Sequence, residues 1–282
     1  MTLIAGVHAA IAEATQRLAA AGVPSPRHDA EALAAHVLGR SRSDLFLAAW
    51  RPEQVEAYDD LVAERVRRVP LQHLTGVAAF RHLDLAVGPG VFVPRPETEV
   101  LVSWGLEHLA GQVAPVVVDL GAGSGAIALS VAAESPGATV YAVEREAEAL
   151  AWLHRNAAGS AVHIVAGDAT DPAVLAELHG RVDLVLANPP YIPIGAQVDP
   201  EVARHDPPAA LWGGADGLDV VRAMAHRARD LLRAGGAVGI EHADLQGRSV
   251  PAILRSAGGW EDVTDHPDLA GRDRFTTARR SV

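Results

Sequence analysis

Four consecutive residues, Asn188-Pro189-Pro190-Tyr191, have the chemistry to hold a planar nitrogen group. The side-chain oxygen of Asn188 and the main-chain carbonyl of Pro189 can accept the two N–H bonds of an –NH2 group. The two prolines stiffen the turn, so both acceptors are held in place in advance. Tyr191 supplies a flat wall for a planar group. We call these residues the Asn-Pro-Pro-Tyr turn, and they predict chemistry at an amide or amine nitrogen.

A glycine-rich loop, Gly121-Ala122-Gly123-Ser124-Gly125, comes earlier in the chain. Glycines let a backbone turn tightly and approach a ligand closely, and the helix predicted after the loop offers free N–H groups. Glu144 follows at the end of the next predicted strand, where a carboxylate can accept both hydroxyls of a ribose. The third glycine stands at the fifth position of the loop, not at the sixth as in the dinucleotide fingerprint. This favours a nucleoside cofactor without a pyrophosphate.

S-adenosylmethionine fits this description, because its sulfonium and amino-acid tail need close backbone approach and carboxylates. Asp119 precedes the loop and is expected to face the cofactor's ammonium group. Asp168, within Gly167-Asp168-Ala169, is expected to accept a hydrogen bond from the exocyclic amine of adenine. Together, the loop and the turn predict that a methyl group is carried to a nitrogen. No strong general base is needed, since the proton leaves easily once the nitrogen is methylated.

The elements around these residues predict an α/β protein. Strands are predicted at 116–120, 139–143, 162–165, 183–187 and 237–241, and helices at 126–133, 146–157 and 218–232. This alternation predicts a parallel, doubly wound, Rossmann-like sheet. Ligands of such sheets bind beyond the carboxyl ends of the strands, where the loop and the turn both fall.

The N-terminal part of the chain has a different pattern. Helices are predicted at 3–21, 28–39 and 52–69, which indicates a small helical bundle over residues 1–75. Residues 76–95 predict a β-hairpin linker, with strands at 79–87 and 91–93 and a turn at 88–90. The methyltransferase domain is then expected to occupy residues 96–282.

Composition excludes several kinds of chemistry. The chain has no Cys, so disulfides, thiolate metal sites and a Cys nucleophile are excluded, and no metal site is expected. All 24 basic residues are Arg, which excludes a Schiff-base lysine. The net charge of -11 opposes stable binding to a nucleic-acid backbone. Neither a signal peptide nor a long apolar run is found, so a cytoplasmic monomer without a membrane partner is expected.

The chain resembles the release-factor glutamine methyltransferases, the PrmC (HemK) family, over nearly its whole length. The similar segments are residues 69–76, 92–99, the glycine loop, the Asn-Pro-Pro-Tyr turn, residues 211–218 and residues 268–274. The most specific of them is Pro-Arg-Pro-Glu-Thr-Glu at 94–99. The Asn-Pro-Pro-Tyr turn by itself is shared by many nitrogen methyltransferases.

The resemblance implies a substrate and a cofactor. The substrate is the glutamine of the Gly-Gly-Gln loop in class I peptide chain release factors, and the product is N5-methylglutamine. The methyl donor is S-adenosylmethionine, which leaves as S-adenosylhomocysteine. The N-terminal helical domain is expected to help dock the release factor.

The resemblance also implies roles for single residues. The cofactor is contacted by Gly121, Ala122, Gly123, Ser124, Gly125, Glu144, Asp168, Ala169 and Asn188, with Phe92 and Pro94 closing over the site. The substrate is contacted by Asn188, Pro189, Pro190 and Tyr191. Arg95 and Glu97 are expected to form an internal network that shapes the mouth of the pocket.

Two positions depart from the family pattern. Asp206 stands where the family usually has Glu, and Glu241-His242-Ala243 replaces the usual Glu-Ile-Gly. Neither change touches the transfer chemistry, but both can alter contacts with the substrate loop. For His242, a surface or packed position is expected ahead of a ligand or base role.

Two other functions remain open from the sequence. An adenine-N6 methyltransferase of DNA or RNA would use the same chemistry on an exocyclic amine, but it needs a cationic track, which the acidic balance disfavours. A catalytically silent adaptor that binds release factors or ribosomes is the other alternative. The intact glycine loop, Glu144 and Asn-Pro-Pro-Tyr turn argue against it.

Overall fold

The computed structural model describes residues 6–282, which form two compact units. The helical unit comprises the described residues up to Val77 together with residues 198–205. The catalytic unit comprises residues 78–197 and 206–282. None of the helices between residues 6 and 282 combines the length and hydrophobicity that crossing a membrane requires.

The helices are α1 (Val7–Ala20), α2 (Pro26–Leu38), α3 (Pro52–Val66), α4 (Leu71–Thr75), α5 (Glu99–Leu109), α6 (Ala126–Glu134), α7 (Ala147–Asn156), α8 (Pro200–His205), α9 (Pro208–Leu211), α10 (Asp219–Leu231) and α11 (Ser249–Ala257). The strands are β1 (Val77–Phe80), β2 (Leu83–Ala86), β3 (Val116–Leu120), β4 (Thr139–Glu144), β5 (His163–Ala166), β6 (Val182–Ala187), β7 (Leu232–Glu241), β8 (Trp260–Pro267) and β9 (Asp273–Arg280). Short 3-10 helices include Arg42–Leu47 and Pro96–Thr98.

In the helical unit, α1, α2 and α3 occur where the sequence predicts helices, although residues 3–5 of the first prediction lie outside the described residues. Proline starts α2, and Gly39 ends it in the left-handed conformation at φ 60°. The helices bury a core that includes Leu18, Leu33 and Val62. The 3-10 helix Arg42–Leu47 and α4 were not predicted.

A buried arginine holds α8 within the helical unit. Only 4% of the Arg65 side chain is exposed, and its Nε donates to Asp29 at 2.8 Å while Nη1 donates to Glu201 at 2.7 Å. Arg68 adds a pair with Asp199 at 2.9 Å. Removing one partner of a buried ion pair leaves an uncompensated charge, so these contacts bind residues 198–205 firmly to the helices.

The catalytic unit is built on a seven-stranded sheet of order β5-β4-β3-β6-β7-β9-β8. Its first five strands are parallel, as the sequence predicts, whereas β9 runs antiparallel to both β7 and β8. Strands β8 and β9 and helix α11 were not predicted from the sequence. Strand β8 carries polar residues and is mostly solvent-accessible at the sheet edge, so its hydrophobic pattern is weak.

The predicted positions of the hairpin turn and of its second strand were wrong. The strands are β1 and β2, the turn lies at Arg81-His82 rather than at 88–90, and residues 91–93 are not a strand. Arg81 adopts a φ of 52°, and its backbone N–H donates to Glu99 at 2.9 Å while its guanidinium binds both oxygens of Glu134. These polar contacts fix the turn at a place that hydrophobic alternation does not mark.

Apolar packing on both faces of β6 is central to the stability of the catalytic unit. Leu186 is fully buried in the centre of the sheet, whereas Leu269 is 96% exposed in the turn between β8 and β9. We expect Leu186→Ala to lower the free energy of unfolding by about 2–5 kcal/mol, because it removes buried methyl groups and leaves a cavity. Leu269→Ala is the matched control and should leave stability nearly unchanged. Chemical denaturation checks this, and equal losses from both variants would contradict the burial described here.

Candidate active site

Strand register brings the glycine loop and the Asn-Pro-Pro-Tyr turn together. Strands β3 and β6 are parallel neighbours, and Leu120 pairs with Ala187. The residues that follow, Gly121 and Asn188, therefore start side by side at the carboxyl edge of the sheet. On the other side of β3, Leu120 also pairs with Val143, which places Glu144 at the same edge.

The glycines of the loop meet different structural requirements. Gly121, Gly123 and Gly125 all have positive φ values, which L side chains rarely adopt. A Cβ on Gly125 would stand 2.7 Å from a methyl carbon of Leu153, so this position is needed for packing beneath α6. A Cβ on Gly123 would meet nothing within 4 Å. The backbone at Gly123 is therefore open to a ligand.

Glu144 holds the glycine loop in shape. Its Oε2 accepts the backbone N–H of Gly123 at 2.8 Å, and its Oε1 accepts those of Arg145 and Glu146 at 2.7 and 2.8 Å. Each carboxylate oxygen has two lone pairs, so Oε1 is fully used and Oε2 keeps one lone pair that can accept a ribose hydroxyl. The carboxylate is 8% exposed at this position.

Asp168 and Ala169 follow β5, next to the end of β4. Gly167 donates its N–H to the carbonyl of Glu144 at 2.9 Å, which fixes this neighbourhood. Asp168 accepts from the hydroxyl and backbone N–H of Thr170 at 2.7 and 2.8 Å, and from Arg145 at 3.2 Å. The Thr170 hydroxyl is the main cause that lowers the pKa of Asp168. Asp168 is therefore a charged acceptor at the edge where the other predicted cofactor residues lie.

Asp119 is a buried carboxylate immediately behind the glycine loop. It is 1% exposed, and its Oδ2 accepts the backbone N–H of Ala128 at 3.1 Å. Among residues 6–282, no group donates a hydrogen bond to its Oδ1. Burial raises the pKa of Asp119 to about 7, and the negative charge of Glu144 adds to the rise. A buried oxygen that lacks a donor fits a cationic ligand group at this position.

Asn188 is oriented by a residue of the Pro-Arg-Pro-Glu-Thr-Glu segment. Its Nδ2 donates to the Thr98 hydroxyl at 3.1 Å, which leaves Oδ1 as the acceptor on the other side of the amide. Thr98 is only 4% exposed and ends the 3-10 helix Pro96–Thr98. The sequence analysis gave Thr98 no role, although the segment that contains it was recognised as the most specific one.

Tyr191 is held at both ends. Its hydroxyl donates to Glu241 Oε1 at 3.4 Å, and Gln246 Nε2 donates to its main-chain carbonyl at 3.0 Å. Burial is the main cause that raises the pKa of Tyr191, so the phenol stays protonated and remains a donor. Glu241 ends β7, is 1% exposed, and burial raises its pKa to about 7. Gln246 gave no signal in the sequence.

Residues 211–218, one of the segments similar to the family, form backbone hydrogen bonds to the chain next to the Asn-Pro-Pro-Tyr turn. Ile192 donates its N–H to Leu211 and accepts the N–H of Gly213, each at 2.9 Å. A Cβ on Gly213 would stand 2.5 Å from the Pro190 carbonyl oxygen, so only glycine allows this approach. The segment therefore supports the backbone of the Asn-Pro-Pro-Tyr turn directly.

The segment that contains Phe92 is fixed by an ion pair. Arg95 donates to Asp206 at 2.9 Å, and its guanidinium lies 5.0 Å from the centroid of the Phe92 ring. The Asp206 side chain is 2% exposed. Asp206 therefore forms the ion pair with Arg95, although the family usually has Glu at this position. Glu97 lies exposed.

His242 is a packed residue of the sheet. It is fully buried, with Nδ1 at 2.9 Å from the Ala243 carbonyl and Nε2 at 2.8 Å from Asp265. The Thr276 hydroxyl lies 3.0 Å from the same Nε2. Asp265 and Thr276 belong to β8 and β9, so the departure from Glu-Ile-Gly adds a buried polar contact to these strands.

Two domain families and several known proteins match this chain. Residues 9–76 match the PrmC N-terminal domain, and residues 84–205 match the methyltransferase small domain. Two solved structures share the fold. A methyltransferase from Pyrococcus furiosus aligns at a TM-score of 0.53 and 20% identity, covering 72% of this chain and 92% of that one. The Thermus thermophilus 16S rRNA N2 G1207 methyltransferase aligns at 0.53 and 22%, covering 72% and 49%.

Curated relatives match over nearly the whole chain. The release factor glutamine methyltransferase of Streptomyces coelicolor is 51% identical over 97% of this chain and 98% of its own. The protein of the same name from Mycolicibacterium smegmatis is 51% identical over 96% of each. That from Corynebacterium glutamicum is 46% identical over 96% of this chain and 98% of its own. With these similarities and the site at one sheet edge, the chain belongs to the release factor glutamine methyltransferase family.

Proposed function

We propose that this protein transfers a methyl group from S-adenosylmethionine to the side-chain nitrogen of the glutamine in the Gly-Gly-Gln loop of class I peptide chain release factors. The observation that carries the proposal is the position and orientation of Asn188. Its side-chain amide is oriented by Thr98, and its backbone lies beside the start of the glycine loop. The shared name and the 51% identity of the Streptomyces coelicolor relative support the choice of substrate.

The residues present fit the cofactor. Gly123 leaves its backbone open, Asp119 has an acceptor oxygen for an ammonium group, and Glu144 Oε2 has one lone pair left for a ribose hydroxyl. Asp168 and Ala169 would meet the adenine, and Phe92 and Pro94 would close over the site. When bound, S-adenosylmethionine supplies an electrophilic methyl group on its sulfonium.

The chain's own contribution is to hold the glutamine amide for attack. An amide nitrogen is a poor nucleophile because its lone pair is delocalised into the carbonyl. Asn188 Oδ1 and the Pro189 carbonyl accept its two N–H bonds, which raises the electron density on nitrogen and aims it. Orientation of this kind contributes about 7–11 kcal/mol in favourable cases. Tyr191 and Pro190 line the planar group, and no general base is needed before transfer.

The proposal includes the partner and the setting. The helical unit would help dock the release factor, and its residues 9–76 resemble the PrmC N-terminal domain. The enzyme is expected to act as a monomer in the cytoplasm, where translation is terminated. Its net charge of -11 disfavours stable nucleic-acid binding.

The direct test is transfer of labelled methyl from S-adenosylmethionine to a purified class I release factor. The Gly-Gly-Gln→Gly-Gly-Ala factor is the matched substrate control, and DNA and rRNA are tested in parallel. Label on the native factor alone supports the proposal. Label on nucleic acid alone would replace it with adenine methylation, and cofactor binding without any transfer would favour the adaptor.

Replacing the Asn188 side chain distinguishes cofactor binding from methyl transfer. We expect Asn188→Ala to retain binding of S-adenosylhomocysteine, weakened at most modestly, since the loop and the carboxylates remain. Methyl transfer should fall by about 10²–10³-fold, as for loss of one preorganised polar group in other sites. Calorimetry and a single-turnover assay measure the two quantities. Transfer at a rate close to that of the unmodified protein would rule out the role given to Asn188.

The buried Asp119 predicts a pH-dependent affinity for the cofactor's amino-acid tail. Its raised pKa of about 7 means that the carboxylate gains charge as the pH rises from 6 to 7.5. The ligand ammonium stays mostly charged in this range, since an α-amino group has an ordinary pKa of about 7.7–8.0. Affinity for S-adenosylhomocysteine should therefore increase severalfold from pH 6 to 7.5. Asp119→Asn should bind more weakly and show no such increase, and a parallel increase in that variant would assign the effect to another group.

A further inference from the structure

Three large aliphatic side chains of the catalytic unit stand in solvent in the connections around the Asn-Pro-Pro-Tyr turn. Ile194 follows the turn and is 68% exposed, Leu245 follows β7 and is 91% exposed, and Leu269 lies between β8 and β9 and is 96% exposed. A single exposed aliphatic residue is ordinary on a protein surface, so what matters is where the three occur. We call these three side chains the aliphatic rim.

The strand order places all three connections on one half of the carboxyl edge of the sheet. Strands β6 and β7 are parallel and end at this edge. Strand β9 runs antiparallel to both β7 and β8, so the turn between β8 and β9 projects from the same edge. In the order β5-β4-β3-β6-β7-β9-β8, the predicted cofactor residues follow β3, β4 and β5. The aliphatic rim therefore lies on the other half, which also carries the Asn-Pro-Pro-Tyr turn.

The connections that bear Leu245 and Ile194 are tied to the Asn-Pro-Pro-Tyr turn. Gln246, next to Leu245, donates from Nε2 to the main-chain carbonyl of Tyr191 at 3.0 Å. Ile194 lies three positions after Tyr191, and its N–H donates to the Gly214 carbonyl at 2.9 Å. The backbone that carries both aliphatic side chains is therefore continuous with the backbone proposed to hold the substrate amide.

The turn between β8 and β9 packs against the connection that bears Leu245. A Cβ on Gly247 would stand 2.6 Å from the Cβ of Asp273, so the two backbones approach too closely for a side chain there. Within the turn, Asp268 Oδ1 accepts the N–H of Ala270 at 2.9 Å, which fixes the backbone on both sides of Leu269. A partner that covers Leu269 therefore meets a backbone that is already ordered, and less entropy is lost on binding.

We propose that the aliphatic rim is the docking surface for the polypeptide of the release factor that flanks its Gly-Gly-Gln loop. This inference rests on the proposed methyl transfer and deepens it, because it assigns a surface to the protein chain beside the reacting glutamine. A glutamine held at the Asn-Pro-Pro-Tyr turn brings its neighbours in sequence to the same edge. The predicted cofactor site takes one half of that edge, and the aliphatic rim is the surface next to the turn on the other half.

The charges around the aliphatic rim favour a polypeptide as its occupant over a nucleic acid. The connections at 243–248 and 268–273 contain three Asp and two Arg, and residues 192–197 contain no charged side chain. A nucleic-acid backbone is held by an excess of basic groups, which these connections lack. Exposed aliphatic side chains among balanced charges are instead suited to the apolar centre and polar margin of a protein–protein contact.

The test compares Leu245→Ser and Leu269→Ser, singly and combined, with Val113→Ser in the full chain. Val113 is 94% exposed in the connection that leads into the start of β3, at the opposite edge of the sheet, and is the matched control. Ile194 is left unchanged because it lies so close to the Asn-Pro-Pro-Tyr turn. Calorimetry measures the affinity of the S-adenosylhomocysteine-bound protein for a purified class I release factor, and an assay with labelled S-adenosylmethionine gives kcat and KM.

We expect each substitution in the aliphatic rim to weaken binding of the release factor and raise its KM by about 5- to 10-fold, the effect of losing one important interface side chain. The combined variant should lose more than either single one. Both kcat at saturating factor and the affinity for S-adenosylhomocysteine should change little, because the glycine loop and the Asn-Pro-Pro-Tyr turn are intact. Val113→Ser should bind the factor as the unmodified protein does.

The outcomes distinguish this inference from the proposed function. If the unmodified protein does not methylate the factor, the proposed function has failed. If it does, and the rim variants bind the factor with unchanged affinity, the docking surface is overturned while the proposed function stands. An equal loss in Val113→Ser, or a loss of affinity for S-adenosylhomocysteine in the rim variants, would also overturn it. Methylation of DNA or rRNA that the rim variants weaken would make a nucleic acid the occupant instead.

Discussion

The parallel pairing of β3 with β6 is the constraint on which the rest of the site depends. Because Leu120 lies opposite Ala187, the chain leaves both strands at the same level and in the same direction. The residues after β3 form the glycine loop, and the residues after β6 form the Asn-Pro-Pro-Tyr turn. A shift by one residue would turn every side chain of β6 to the other face of the sheet and move Asn188 away from the loop. Hydrophobic packing on both faces of the sheet fixes this register.

Three buried carboxylates organise the catalytic edge, and each does so through different donors. Glu144 binds backbone N–H groups and shapes the glycine loop, whereas Asp119 has a single backbone donor. Glu241 accepts the hydroxyl of Tyr191. Burial disfavours the charged form unless donors compensate. The pKa values of Asp119 and Glu241 are therefore raised to about 7, which makes both groups responsive near neutral pH.

The chain between the turn and β7 is anchored at several points. Residues 198–205 belong to the helical unit, where Arg65 and Arg68 hold them by ion pairs. On its return to the catalytic unit the chain is fixed by the pair of Asp206 with Arg95. Segment 211–218 then supports the turn through backbone hydrogen bonds. Within the catalytic unit, Arg95 and segment 211–218 therefore fix the backbone around the turn.

The sequence alone predicts the parallel strands of the α/β sheet, the glycine loop, the site position of Glu144 and the Asn-Pro-Pro-Tyr turn. These features are local, because strand periodicity, glycine content and a four-residue motif are read within short windows. Other features depend on long-range contacts and are seen only in the folded chain. The hairpin turn follows the contacts of Arg81 with Glu99 and Glu134, and the edge strand β8 needs β9 as its partner. The amide of Asn188 takes its orientation from Thr98, 90 positions away in sequence. No local pattern specifies such a contact, since it exists only once the strands have brought both residues to one edge of the sheet.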